Sequence, residues 1–229
     1  MSLSIAVAPH PLLEIGAFVM RMPRPCAEIA TPAQITQLAE VDSIAPMASS
    51  DEVRTAVRHL LRHGGYKPSG RSKPASEYLV ASLAKREFPR INAMVDACNA
   101  VSLHSGLPIS LVDLDRLDFG ADRRGAGAAL AVRIAVAGTT YVFNPSGQTI
   151  DASGLVCLYD AQGPTGTPVK DAQRTKTHDG TIAALAIVWG TRALPGRTSN
   201  TTAWYRDLVA SIEATVEDVE LGAGTDARA

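Results

Sequence analysis

The chain has 229 residues, of which 46% are hydrophobic, and its 22 Lys and Arg residues nearly balance its 23 Asp and Glu residues. A chain of this length and apolar content can bury a core of its own, so a disordered protein is excluded. No run of about 18 apolar residues is present, which excludes a membrane span. The net charge of -1 excludes a protein that coats nucleic acid over its whole surface. We expect one domain over residues 1–229, with neither a membrane nor DNA as partner.

The three cysteines, Cys26, Cys98 and Cys157, lie far apart in the sequence and include no Cys-x-x-Cys pair. A structural zinc site of thiolates is therefore not expected. An odd number of cysteines with no signal peptide suits a reducing cytoplasm, where each side chain is a small apolar group. We predict a cytoplasmic protein with no cofactor and no metal.

In the first half of the chain, apolar residues recur with the period of short strands and then of helices. Strands are predicted at residues 3–7 and 15–20, and a short helix within 28–40. A longer helix is predicted to begin at a capping box formed by Ser49 and Glu52 and to end at the following glycine pair. Its expected buried face has the spacing of one helix side and consists of Val53, Val57, Leu60 and Leu61.

Two further helices are predicted downstream. The first begins near Pro74, and the second begins near Pro89 and ends at Gly106. Their expected buried positions are Ala75, Leu79, Val80 and Leu83 in the first helix, and Ile91, Met94, Val95, Cys98 and Val101 in the second.

The hydrophobic period changes to two in the second half of the chain. Alternating residues predict a strand at 130–136. Apolar runs predict three more strands, at 141–143, 155–159 and 182–189. A C-terminal helix is predicted within 200–221, followed by a flexible tail at 222–229. The buried side of that helix would be Leu208, Ile212, Val216 and Val219. Helices followed by strands indicate an α+β fold rather than alternating βαβ units.

A stripe of basic residues runs along the first long predicted helix and the loop after it. From Val53 to Lys73 there are six basic residues and no acidic one. Such a cluster can neutralise phosphates of RNA, with an affinity that falls steeply with salt. The alternative is an ordinary solvated helix face. We define the basic stripe, and predict it as the RNA-binding surface, as Arg54, Arg58, Arg62, Lys67 and Arg71.

Polar residues also recur on the third predicted helix and after it. Asn92, Asp96 and Asn99 fall at i, i+4 and i+7, so they share one side of the helix. They can hydrogen-bond a ligand or tie down a neighbouring loop, and the second role is favoured. Asp113 and Asp115 can bind a cation or cap a helical turn, and capping is favoured.

His59 and His63 are four residues apart, a spacing that can bring two imidazoles to one metal ion. Leu60 occupies the position where a zinc-protease helix needs its glutamate, and no third ligand is evident. No Gly-x-Ser-x-Gly motif is present either. The sequence therefore supports neither a metal site nor a standard hydrolase triad.

Residues 88–102, with the sequence FPRINAMVDACNAVS, resemble the tRNA-editing module of the bacterial phenylalanyl-tRNA synthetase β subunit, the B3/B4 domain, and especially its free-standing relatives. The valine–aspartate pair and the asparagine three residues on are typical of that family and match Val95, Asp96 and Asn99. The resemblance extends over residues 49–190. Further matches follow in the family's order, at Gly65–Ser69, Pro74–Ser76, Leu107–Ile109, Asp113–Asp115 and Arg133.

The resemblance implies a three-layer α+β fold, a β-sandwich of unusual topology flanked by helices. In the synthetase this module hydrolyses tyrosine wrongly esterified to phenylalanine tRNA, and its pocket positions the ester and a water molecule without a covalent nucleophile. The implied partner is tRNA or the aminoacylated tRNA end. The implied substrate pocket consists of Asn99, Ser102, Ser110, Asp113 and Arg133.

The chain departs from the family pattern at two pocket positions. Ser110 stands where a histidine is common. The glutamate that recognises the tyrosine hydroxyl has no clear counterpart, with Asp171 a loose candidate. A pocket lacking both groups should discriminate poorly for tyrosine, because a buried hydroxyl needs a hydrogen-bond partner.

Three functions are compared on this basis. The leading hypothesis is a free-standing editing-type domain that binds tRNA, with hydrolysis of a mischarged ester left open. The second is a module that binds a free amino acid or a related metabolite without catalysis, and the third is a protein-interaction scaffold. A complete synthetase is excluded, because an aminoacylation domain does not fit within 229 residues.

Overall fold

A computed structural model describes residues 2–120 and 130–224. Five helices lie within these ranges: α1 (Ala33–Leu38), α2 (Asp51–Arg62), α3 (Ala75–Ala84), α4 (Ala93–Ser105) and α5 (Arg197–Ala210). Ten strands lie within the same ranges: β1 (Leu3–Val7), β2 (Leu13–Arg21), β3 (Ile109–Asp113), β4 (Leu130–Ile134), β5 (Thr140–Val142), β6 (Thr149–Asp151), β7 (Val156–Asp160), β8 (Gly163–Gly166), β9 (Ala183–Thr191) and β10 (Thr215–Ala223).

Eight of the strands form one sheet in the order β3-β9-β2-β10-β1-β4-β7-β8, and β5 and β6 form a separate hairpin. The three central strands β10, β1 and β4 run parallel to one another. All other neighbours in the sheet are antiparallel. The N-terminal strand therefore lies between two strands from much later in the chain.

The two edge strands of the sheet approach each other, so the sheet nearly closes. The Ser110 hydroxyl on β3 lies 3.1 Å from the Thr167 carbonyl oxygen, just after β8. A methyl group added at Gly166 would come within 3.1 Å of the Ser110 side chain. Farther along β3, Val112 forms an isolated antiparallel bridge with Lys176. We call this contact between β3 and residues 166–176 the seam.

Helices cover the sheet and complete the core. α5 packs against β2 and β9, and α4 packs against α5 and α3. The approach of α5 depends on two glycines, because a methyl group at Gly16 or Gly190 would overlap Thr202 or Thr198. β9 is buried along its whole length, with Trp189 completely enclosed. The α+β class and the helices flanking a large sheet agree with the sequence-based expectation.

The structure confirms most of the predicted elements and shifts several boundaries. Val53, Val57, Leu60 and Leu61 are buried on α2. Its N-cap is Ser50 rather than Ser49, since the Ser50 hydroxyl accepts a hydrogen bond from the Val53 amide. Asn92 caps α4 in the same way, so that helix starts after Pro89 and leaves Ile91 65% exposed. Val80 is also exposed, and β4 ends at Ile134, which leaves Val136 outside the strand.

The predicted helix within 200–221 is wrong in its second half. α5 begins earlier, at Arg197, and ends at Ala210, and Glu213 then adopts a left-handed conformation with φ of 61°. From Thr215 the chain forms β10, which carries Val216 and Val219 into the centre of the sheet. The predicted tail begins inside this strand, and its residues 225–229 lie outside the described residues.

Within residues 2–120 and 130–224, no helix is long and apolar enough to cross a membrane.

Candidate functional site

Two residues singled out in the family comparison meet at the seam. The Ser110 hydroxyl donates a hydrogen bond of 2.6 Å to Asp171 Oδ1 and accepts one of 2.9 Å from Trp189 Nε1. Ser110 is completely buried, so its hydroxyl orients the carboxylate rather than contacting a solute. Asp171 keeps part of its surface exposed. The serine and the aspartate thus form one hydrogen-bonded unit at the seam, and the aspartate is the less deeply buried residue of the two.

The Asp171 carboxylate is held by backbone groups from both sides of the seam. Its Oδ1 also accepts from the Thr167 amide at 3.0 Å, and its Oδ2 accepts from the Leu111 amide at 3.3 Å. Burial raises the pKa of Asp171 to about 6, although the hydrogen bonds from Ser110 and the two amides oppose the rise. The group is therefore mostly ionised at pH 7 and is available as an acceptor for an ammonium or hydroxyl group.

Lys176 interacts electrostatically with this carboxylate, and Lys170 lies near both Lys176 and Arg71. We call these three basic side chains the cationic rim: Arg71, Lys170 and Lys176. The Lys170 ammonium lies 3.9 Å from the centre of the Phe143 ring, and the Lys176 ammonium donates a 2.6 Å hydrogen bond to the Phe143 carbonyl oxygen. Burial, Arg71 and Lys176 lower the pKa of Lys170. Burial lowers the pKa of Lys176, and Asp171 opposes that change. Mutual repulsion among the three cations favours an anion between them.

Tyr141 fixes the loop that carries Lys170. Its hydroxyl donates to the Lys170 carbonyl oxygen at 2.5 Å and lies 3.0 Å from the Thr167 hydroxyl. Burial raises the pKa of Tyr141, so the phenol stays neutral. The β5–β6 hairpin, which carries Tyr141, thereby holds residues 167–171 in place.

The remaining predicted pocket residues do not all face the seam. Ser102 is buried in α4 and donates to the Leu107 carbonyl oxygen at 2.8 Å. Asn99 is half-buried on α4, and its side chain forms no hydrogen bond with any described residue. Arg133 lies on β4, with its guanidinium carbon 4.2 Å from the centre of the Tyr159 ring. The structure therefore brings together Ser110 and Asp171, while Ser102 and Arg133 make contacts elsewhere.

Asp113 also points away from Ser110, because the two residues are separated by an odd number of positions along β3. Its carboxylate accepts from the Asp115 amide at 2.9 Å and from the Thr181 hydroxyl at 2.5 Å. It also lies 3.3 Å from His178 Nε2. Asp113 caps the short 3-10 turn that follows β3, so the favoured capping interpretation is confirmed.

The polar side of α4 likewise has a structural role at two of its three positions. Asn92 is the helix cap, and the buried Asp96 accepts from the Thr31 hydroxyl at 2.9 Å and from the Ile91 amide at 2.8 Å. These bonds tie the segment before α1 to α4, as the favoured interpretation predicted.

The basic stripe is partly neutralised by acidic residues that lie just outside residues 53–73 in the sequence. Arg58 forms two hydrogen bonds, of 2.7 and 2.6 Å, with Glu77 on α3. Arg54 lies 3.1 Å from Asp51 at the start of its own helix. Arg62 and Lys67 are exposed, as is Arg71, which also belongs to the cationic rim. The stripe therefore reaches the seam through Arg71.

Sequence reasoning missed Lys170 and Lys176. The segment Lys170–Lys176 contains two lysines and an aspartate but no recognisable motif, and its relation to β3 depends on closure of the sheet. Within residues 2–120 and 130–224, no group of three or more His, Cys, Asp or Glu side chains is arranged to hold a metal ion.

Comparison with known proteins identifies the family. The model of the B3/4 domain family matches residues 67–194, more than half of the chain, and the chain belongs to this family. It is similar in structure to an N-terminal fragment of the phenylalanyl-tRNA synthetase β subunit from Pyrococcus horikoshii, with a TM-score of 0.51 and 8% sequence identity. The match covers 96% of this chain and 51% of that one, so the chain spans about half the length of the fragment. At this identity the likeness shows the fold alone. No curated protein matches the chain.

Proposed function

We propose that this protein binds the aminoacylated end of a tRNA at the seam and supports hydrolysis of a mischarged ester there. One observation carries the proposal: the Asp171 carboxylate, held by Ser110 and two backbone amides, interacts with Lys176, one of the three rim cations. An aminoacyl-tRNA end presents the matching groups, a free ammonium beside backbone phosphates. Membership of the B3/4 domain family and the structural likeness to a phenylalanyl-tRNA synthetase β-subunit fragment support the same function.

Each group would have one role in this complex. Asp171 would accept hydrogen bonds from the ammonium of the aminoacyl group, and Ser110 would keep the carboxylate in that orientation. Arg71, Lys170 and Lys176 would contact phosphates. Hydrolysis would then depend on placing the ester carbonyl carbon beside a water molecule, which is an effect of positioning and needs no covalent nucleophile.

The binding part of the proposal is tested by RNA affinity as a function of salt. Three phosphate contacts on a single strand predict a slope of about -2 in a plot of log affinity against log salt. The double variant Lys170→Gln and Lys176→Gln should lower the affinity for aminoacylated tRNA and reduce the slope to about -0.7. A matched control, Lys85→Gln with Arg86→Gln, removes the same charge at the end of α3 and should leave both unchanged. An equal loss in the two double variants would contradict the assignment to the seam.

The hydrolytic part is tested with mischarged tRNAs, including tyrosine esterified to phenylalanine tRNA. Release of the amino acid above the uncatalysed rate, and its loss in Asp171→Asn, is the expected result. Thermal unfolding of the variant checks that the seam has not opened. Intact binding without any deacylation would show that the domain binds the aminoacyl end and is not an enzyme.

A free amino acid is the second candidate ligand, because it also has an ammonium for Asp171 and a carboxylate for the cationic rim. This alternative predicts stabilisation by free amino acids, amounting to about 2.7 kcal/mol at 100 times the dissociation constant. It also predicts no salt-dependent affinity for tRNA, which separates it from the first proposal.

A further inference from the structure

A second site lies away from the seam, where the three parallel strands β10, β1 and β4 end. Parallel strands place their carboxyl ends at one edge of a sheet, and ligands of α/β proteins commonly bind at such an edge. Here that edge borders two neighbouring cavities of about 730 and 350 Å3, which share Ala8, Pro9, His10 and Leu13. We call the two cavities together the edge groove. Its volume suits a small organic ligand.

His10 lines both cavities, and its hydrogen bonds place the proton of the neutral ring. Its Nδ1 accepts hydrogen bonds from the Leu12 amide at 3.1 Å and the Leu13 amide at 3.0 Å. Burial, the neighbouring His63 ring and Arg192 lower the pKa of His10 to about 4. The ring is therefore neutral at pH 7 with its proton on Nε2, which is a hydrogen-bond donor.

Two further donors accompany His10. The His63 ring centre lies 4.5 Å from that of His10, and His63 lines the larger cavity. Arg192 lines the smaller cavity, where its Nη1 lies 3.2 Å from the His10 carbonyl oxygen and 3.5 Å from that of Pro11. The Arg192 guanidinium forms no other hydrogen bond with a described residue, so its Nε and Nη2 groups remain available.

The other walls of the edge groove offer little to a cation. Among the described residues, Glu14 is the one carboxylate lining these two cavities, and it already accepts a 2.6 Å hydrogen bond from the Thr198 hydroxyl. Much of the larger cavity is apolar, with Val132, Ile134, Val136 and Val156 among its lining residues. The groove thus combines two arginines, Arg133 on the larger cavity and Arg192 on the smaller, and two imidazoles with an aliphatic wall.

We propose that the edge groove binds a small carboxylate with an apolar tail of about 6–12 carbon atoms. Arg192 and His10 hold the carboxylate, and the valine-lined cavity receives the tail. The site is separate from the seam, so its ligand does not depend on the RNA-related function.

Three compounds with the same tail and different head groups test the proposal: octanoate, octanol and octylamine. Isothermal titration calorimetry with the whole chain should show binding of octanoate, about tenfold weaker binding of octanol, and no binding of octylamine. Equal affinity for octanol or octylamine, or no heat of binding with octanoate at about 5 mM, would overturn the proposal.

Variants place the ligand in the groove. Arg192→Gln should reduce the octanoate affinity to that of octanol and leave octanol binding unchanged. Val136→Trp or Ala137→Trp should fill the larger cavity and abolish binding of both compounds. Val142→Trp places the same bulk on the β5–β6 hairpin, at a similarly exposed valine, and should bind normally. Normal octanoate binding by both cavity-filling variants would show that the ligand lies elsewhere.

Discussion

At the scale of single residues, Arg86 and Glu213 have backbone conformations that favour glycine. Arg86 and Glu213 have φ angles of 59° and 61° and follow the ends of α3 and α5. Each position closes a helix, where glycine is the usual residue because it has no Cβ. The helix ends are therefore set by backbone geometry rather than by a residue type that a sequence pattern would identify.

Replacing Arg86 by glycine should stabilise the protein. Removing Cβ relieves about 1–2 kcal/mol of left-handed strain, and the greater freedom of glycine in the unfolded chain offsets part of this. We expect the free energy of unfolding in urea to rise by about 0.5–1 kcal/mol. The control Lys85→Gly, at the neighbouring residue with φ of -89°, should lower it instead. A loss of stability in Arg86→Gly would contradict the strain argument.

His10 makes stability depend on pH. Its folded pKa of about 4 is below the ordinary histidine value of 6.5, so the unfolded chain binds more protons between these values. Its contribution is therefore complete above pH 6.5 and is lost as the pH falls toward 4. Each pKa unit corresponds to about 1.4 kcal/mol, and solvent screening of this half-buried ring reduces the total to about 1–2 kcal/mol.

His10→Asn provides the comparison, because the asparagine oxygen can still accept from the Leu12 and Leu13 amides. The difference in unfolding free energy between the native protein and this variant should shrink from pH 6.5 to pH 4. The raised pKa of Asp171 has the opposite effect on stability, since the folded form binds more protons between pH 3.8 and about 6. This contribution is the same in both proteins, so it cancels in the difference between their unfolding free energies. Parallel pH profiles would show that His10 does not titrate as described.

The sequence pattern points to only some of the residues that meet at the seam, for a physical reason. Ser110 was recognised through its neighbours in sequence, whereas Asp171, 61 residues later, was a loose candidate. The contact between them exists because the sheet curls until its edges meet, and no local pattern encodes that distance. The acids that neutralise the basic stripe were missed similarly, because Glu77 belongs to a different helix from Arg58.

At the scale of elements, periodicity predicted α2 and its four buried residues correctly because that helix has one clearly apolar side. The same reasoning failed after Ala210. Leu208, Ile212, Val216 and Val219 fit a helical spacing, yet the left-handed Glu213 stops the helix and the later valines enter a strand. β-branched residues pack well in strands, and pairing with both β1 and β2 decides between the alternatives.

The packing of α5 gives a testable consequence of the glycines in β2 and β9. In Gly16→Ala the new methyl group would lie 1.8 Å from the Thr202 hydroxyl oxygen, so α5 must shift. We expect a loss of about 1–3 kcal/mol in the free energy of unfolding. The double variant Gly16→Ala with Thr202→Ala should recover part of that loss. Gly222→Ala, where no atom lies within 4 Å of the added carbon, should have little effect and serves as the control.

At the scale of the whole molecule, β10 joins the two halves of the sheet. It pairs with β1 over five residues and with β2 over four. A chain truncated before Thr215 leaves one edge of β1 and one edge of β2 unpaired in the middle of the sheet. We expect it to lose cooperative thermal unfolding, measured by circular dichroism. Truncation after Gly224 retains the described pairing, including the bond from the Gly224 amide to Val7, and should keep a cooperative transition.

The central position of β10 also determines when the protein can fold during its synthesis. Leu3 pairs with Val219, so β1 leaves the ribosome roughly two hundred residues before its partner. Until then the apolar faces and free edges of β1 and β2 remain open to pairing with other nascent chains. We expect the sheet to form only once β10 has left the exit tunnel. Until then, the chain must be protected by chaperones or must aggregate slowly enough to remain available for folding.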